Sequence, residues 1–110
     1  MPIKDLLTIR SAMRTLRDID DSMSLQVALG FVAIAADHPE PMSSQKLCET
    51  LDIVGMGPTR IIDNLTARGR KGRTKPGLGL VRDELDPEDR RNRLYSLTPE
   101  GVKVAKKLGL

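Results

Sequence analysis

In 110 residues the chain has one cysteine, one histidine, one phenylalanine, one tyrosine and no tryptophan. A lone Cys48 cannot close an internal disulfide, and Cys48 with His38 cannot make a usual Cys/His zinc site. With only Phe31 and Tyr95 as aromatic faces, a single-strand binder that works by stacking bases is disfavoured. The longest apolar run is the ten residues Val27 to Ala36, half of the roughly 20 that a membrane span needs. The N-terminus MPIKDLLTIR meets an acid at Asp5 and lacks the apolar stretch of a secretory signal. The glycine- and lysine-rich stretch after residue 69 has no Gly-Lys-Ser/Thr and so is no nucleotide-binding loop. His38 sits beside Pro39 with no acid or nucleophile at a suggestive spacing. No catalytic arrangement emerges, and no metal or cofactor is expected. The chain reads as a cytoplasmic non-enzyme.

What it does have is charge, unevenly spread. Residues 1–58 carry five basic and eight acidic side chains, and residues 59–110 carry thirteen and seven. A one-sided basic surface suits a polyanion. One cluster is Arg68, Arg70, Lys71, Arg73 and Lys75; the other is Arg90, Arg91 and Arg93. The guanidinium's planar fork suits phosphate and guanine edges. A single such cluster would read as a solvated loop. Two in one half, with aromatics scarce, favour duplex DNA.

Apolar spacing orders the chain. Leu6, Ile9, Met13 and Leu16 form a helical stripe within residues 3–19. Asp20-Asp21-Ser22 breaks it and offers a cap for the next helix. Residues 23–36 are apolar nearly all round, which predicts a buried central helix, closed by Pro39 and Pro41. Ser43-Ser44 caps a short helix over Gln45–Leu51, where Cys48 is a small core residue. A turn with Gly55, Gly57 and Pro58 leads to a helix over 59–68 with Ile61, Ile62 and Leu65 inward. That is a helix-turn-helix, although an ordinary helical hairpin shares the pattern. A basic Gly/Pro loop over 70–79 follows, then strands over Leu80–Leu85 and Arg93–Leu97. The acids Asp83, Glu84, Asp86, Glu88 and Asp89 on this hairpin read as solvated or salt-bridged. Thr98-Pro99-Glu100 starts a last helix, with Val102, Ala105 and Leu108 inward. The whole reads as one domain over 1–110, α+β but mostly α: a winged helix-turn-helix of three to four helices, a β-hairpin wing and a C-terminal helix. The helix-turn-helix spans about 44–68, the basic insertion 70–79 and the wing 80–98.

The stretch Asp86-Pro87-Glu88-Asp89-Arg90-Arg91-Asn92-Arg93-Leu94-Tyr95-Ser96-Leu97-Thr98-Pro99-Glu100-Gly101 resembles the wing of MarR-type transcriptional regulators, with Asp-Arg-Arg at the tip and Leu-Thr-x-x-Gly after the strand. Thr59-Arg60-Ile61-Ile62-Asp63-Asn64-Leu65 is similar to the family's recognition helix, and the likeness covers about residues 25–101. It implies a recognition helix in the major groove of double-stranded DNA, with Pro58, Thr59, Arg60, Asp63 and Asn64 nearest the bases. Asn64 would pair with adenine and Arg60 with guanine or phosphate. It further implies Arg91, flanked by Arg90, in the minor groove, with Asp89 bracing the arginine. Ser43 and Ser44 would offer hydroxyls or backbone N–H groups to phosphate. Arg68, Arg70, Lys71, Arg73, Lys75 and Arg93 would add phosphate contacts.

Two features depart from the family. Leu65-Thr66-Ala67-Arg68-Gly69 would join Leu80-Val81 directly without residues 70–79, so that segment reads as an inserted phosphate-tracking loop. The family's long C-terminal helices, which dimerise and wall an effector pocket, have no counterpart before Leu110. A homodimer would then use a substitute seam on Leu6, Ile9, Met13 and Leu16, unless that stripe packs on the domain's own core. No small-molecule effector is carried over. Overall the sequence reads as a sequence-specific regulator that represses by occupying a promoter. A protein–protein adaptor and a non-specific DNA-coating protein are the alternatives.

Overall fold

The computed structural model describes residues 3–53, 57–66, 77–89 and 91–109. Along the chain come α1 (Ile3–Ile19), α2 (Leu25–Asp37), β1 (Met42–Ser43), α3 (Ser44–Leu51), α4 (Gly57–Leu65), β2 (Val81–Leu85), β3 (Arg93–Leu97) and α5 (Pro99–Lys107). Three helix starts are set by hydroxyl caps, each accepting an otherwise unpaired N–H of the first turn. Ser24 caps α2 through the Val27 N–H, Ser43 caps α3 through Lys46, and Thr98 caps α5 through Gly101. The cap of α2 is therefore Ser24, not the Asp20–Ser22 stretch. Asp20 instead bends the connection, its carboxylate accepting from the Ser22 N–H at 3.0 Å.

The strands form one antiparallel sheet in the order β1-β3-β2, with Met42 opposite Tyr95 and Val81 opposite Leu97. Strand β1 was not foreseen. Its two residues are too few to show an alternation, and their partners lie about fifty positions away in the sequence. Met42, Val81, Tyr95 and Leu97 form the inner face of the sheet. They close on Phe31 and Ile34 of α2, Leu47 of α3, Ile61, Ile62 and Leu65 of α4, and Val104 and Ala105 of α5. On α5, Val104 takes the fully inward place, and Val102 and Leu108 are half-buried. Phe31 has no exposed surface, and burying a side chain of that kind contributes about 2–3 kcal/mol.

Helix α2 can lie close to α4 because residue 30 is glycine: a Cβ there would overlap the Ile61 side chain. The helix is not buried all round, as its composition suggested. Leu25, Leu29 and Val32, spaced i, i+4, i+7, stay exposed. The elements packed most extensively on α2, namely α3, α4, β3 and α5, leave that stripe uncovered. Helix α1 is barer still. Leu16 alone joins the core, so it is no part of an open seam, while Leu6, Ile9 and Met13 are 52%, 45% and 57% exposed. The stripe of α1 therefore does not pack on the domain's own core.

Candidate nucleic-acid interface

The motif α3–turn–α4 starts where β1 ends. Ser43 is at once the last residue of β1 and the cap of α3, so the first motif helix is anchored to the sheet. At its far end Asp52 takes a left-handed backbone (φ 53°), and the Ile53 N–H reaches the Cys48 carbonyl at 3.0 Å. This closes the helix and turns the chain; aspartate tolerates that conformation better than a branched residue. Cys48 itself is half-buried. Helix α4 buries Ile61, Ile62 and Leu65 and exposes Arg60. Asp63 and Asn64 are half-buried. The Asn64 amide nitrogen donates to the Arg60 carbonyl at 2.8 Å, which engages one of its two N–H donors and orients the side chain along its own helix. The helix ends at Leu65, earlier than the periodicity implied, where Thr66 turns its hydroxyl to the Asp63 carbonyl at 3.3 Å.

The wing is tied to this motif at its root. Leu78 N–H donates to the Asn64 carbonyl (3.0 Å) and Leu80 N–H to the Leu65 carbonyl (2.8 Å). The two sides of the insertion are thus closed against each other, whatever lies between. Thr98 does the rest. Its N–H donates to the Leu80 carbonyl at 3.0 Å, its hydroxyl to the Gly79 carbonyl at 2.7 Å, and the same oxygen accepts the Gly101 N–H at 3.1 Å. Gly101 lies so close to the Leu80 carbonyl that a Cβ would overlap it. The Leu-Thr-x-x-Gly pattern is therefore a joint between wing and last helix: hydroxyl for the cap, glycine for the close approach.

At the tip the Arg91 backbone N–H donates to the Asp89 carboxylate at 3.1 Å, and the Arg91 Nε lies 3.4 Å from the same oxygen. Arg91 is 93% exposed. An exposed pair adds little stability, so its consequence is orientation. The carboxylate fixes both the turn and the stem of a guanidinium that otherwise faces solvent.

No family model and no curated protein matches the chain. Solved structures do. The MepR–DNA complex of S. aureus superposes with a TM-score of 0.72 at 15% identity, over 97% of this chain and 77% of that one. RV1404 from Mycobacterium tuberculosis gives 0.71 at 17% identity, over 97% and 65%. The PcaV transcriptional regulator from Streptomyces coelicolor gives 0.64 at 18% identity, over 99% and 74%.

The fold is that of these solved structures, a winged helix. In its terms α3–α4 is the helix-turn-helix and β2–β3 the wing. Of the residues expected to touch DNA in this winged helix, Arg60 and Arg91 are exposed. Ser43 and Ser44 are half-buried, and their hydroxyl oxygens already accept from Lys46 and Arg93. Each keeps its own proton to donate. Arg93 is drawn inward, its Nη2 2.9 Å from Asp83 Oδ2. Pro58 and Thr59 lie on α4, but their side chains fall outside the described residues, as do Arg68, Arg70, Lys71, Arg73, Lys75 and Arg90. Arg82 is exposed on β2 and was not singled out from the sequence. Among the described residues no group of three or more His, Cys, Asp or Glu side chains is placed to hold a metal, and no helix is long and apolar enough to cross a membrane.

Proposed function

We propose that this chain is a sequence-specific, double-stranded-DNA-binding transcriptional regulator that represses by occupying its site as a homodimer in the cytoplasm. The observation that carries the reading is the wing tip. Arg91 is held by Asp89, points to solvent, and stands on a winged helix whose α4 exposes Arg60. In the proposed complex α4 enters the major groove, where Arg60 takes guanine or phosphate and Asn64 adenine. Thr59 and Pro58 lie beside them, and Arg91 with Arg90 enters the minor groove, where narrow A·T stretches attract arginine. Ser43, Ser44 and the basic insertion hold phosphates. Arg93 supports the wing rather than touching DNA.

The homodimer is proposed to use the exposed apolar residues Leu6, Ile9 and Met13 of α1, with Leu25 and Leu29 of α2 flanking them. A contiguous apolar surface on an isolated chain marks a contact. The same face favours the adaptor reading, which needs no arginines at the wing tip. An R90A/R91A variant separates the two. Loss of duplex binding by tenfold or more, with an unchanged circular dichroism spectrum, supports DNA readout. Unchanged duplex binding overturns it.

A further inference from the structure

We infer that Asp83, acting through Arg93, sets the pose of the wing tip against the helix-turn-helix and is a positioning residue for the Arg91 contact. The inference rests on the DNA-binding reading above. It starts from the alternation of β2. Val81 is buried, Asp83 is two residues on, and Leu85 two further is exposed. Asp83 therefore sits on the inner face of the sheet where the core gives out, with its side chain only 14% exposed. Across the ladder Asp83 faces Tyr95, and Arg93 faces Leu85, so the contact between Arg93 and Asp83 is a diagonal on that same face. A carboxylate in such a place needs a charged or hydrogen-bonding partner to offset its lost water. Arg93 provides one, at 2.9 Å.

Arg93 also makes a contact from its backbone. Its N–H donates to the Ser44 hydroxyl at 3.4 Å, and its neighbour Leu94 pairs with Ser43 of β1. One residue thus links β3 to β2 through its guanidinium and to the start of α3 through its main chain. Arg91 is two residues away, and the Asn92 between them accepts the Asp86 N–H at 3.1 Å. Any slip of β3 against β2 would move Arg91 relative to α4. The Asp89–Arg91 contact lies out in solvent and orients the guanidinium only locally. By contrast Arg82 and Glu84, on the outer face of β2, are exposed and have no such leverage.

The test is a double-mutant cycle on a bound duplex, read by fluorescence anisotropy. In the native background, Arg91→Ala is expected to weaken binding about tenfold or more. With Asp83→Asn already in place, that penalty is expected to shrink to about threefold or less, while the penalty of Arg60→Ala on α4 stays the same. A readout without DNA goes with it. Amide exchange at Arg91 and Asn92 is expected to speed up about tenfold in Asp83→Asn, with α4 unaltered. An equal Arg91→Ala penalty in both backgrounds, with unchanged exchange at the tip, overturns the inference even if Asp83→Asn lowers the melting temperature. If Asp83→Asn does not fold, Arg93→Lys, which keeps the charge but loses the planar fork, goes through the same cycle with the same two outcomes. If the native chain itself retains no duplex, the DNA-binding reading fails and this inference fails with it.

Discussion

Arg91 and Gly101 matter in opposite ways, one by the side chain it extends and the other by the side chain it lacks. Arg91→Ala should weaken duplex binding about tenfold. It should leave the melting temperature nearly unchanged, because an exposed ion pair contributes about 0–1 kcal/mol. Gly101→Ala should do the reverse. Its new Cβ would overlap the Leu80 carbonyl, and forcing apart a packed joint costs about 1–3 kcal/mol. Urea unfolding would show this as a lower midpoint at constant slope. The brace of Arg91 by Asp89 and the Thr98 cap were legible in the sequence because they are local, two and three positions apart, whereas the approach of Gly101 to Leu80 spans the whole wing. Asp83 and Arg93 were each seen, the one as a solvated or salt-bridged acid with no partner named and the other as a phosphate contact. Their pairing depends on the register of the hairpin and on which face of β2 is inward, and no short window of sequence carries either. The same is true of Asn64, whose amide turned out to bond to its own helix.

At the scale of elements, the starts of α3 and α5 were readable, since a hydroxyl followed by an apolar period has a direct physical meaning, while the cap of α2 was placed two residues too early. The wing strands were found within a residue at each end, because two short apolar-containing runs flank a polar turn. β1 was hidden by its length. The burial of α2 was misjudged because periodicity reports which positions are apolar and not which neighbours cover them. Leu65 and Leu80, on either side of the segment read as an insertion over 70–79, are hydrogen-bonded to each other. The four cations of that segment, at 70, 71, 73 and 75, are proposed to track phosphates. Neutralising all four should lower the slope of log affinity against log salt by up to about 3.6, since each phosphate contact contributes about 0.9. A titration between low and moderate salt would show it, and an unchanged slope would remove the loop from the interface. Thr98→Ala, which deletes a cap and the bond to Gly79, should cost about 1–2 kcal/mol.

At the scale of the whole molecule, the winged-helix architecture was legible from the order of elements and from the wing pattern. Of the outer apolar face, the α1 part at Leu6, Ile9 and Met13 was read as a possible seam, and the α2 part at Leu25 and Leu29 was not. Five large apolar side chains on that side of α1 and α2, namely Leu6, Ile9, Met13, Leu25 and Leu29, remain between 45% and 69% exposed. A second copy that covers them would explain the exposure and supply the twofold that a palindromic site requires. Ile9→Glu with Met13→Glu should convert a dimer to a folded monomer in sedimentation equilibrium, because neither side chain belongs to the core. A wild-type chain that sediments as a monomer would remove the dimer from the mechanism.

The most direct measurement is selection of bound duplexes from a random pool at about 150 mM salt, where bulk phosphate attraction is weakened. An enriched inverted repeat, with half-sites about one helical turn apart, is the outcome expected of α4 and the wing reading DNA as a pair. A retained but unenriched pool, or no retained duplex at all, would contradict a sequence-specific regulator.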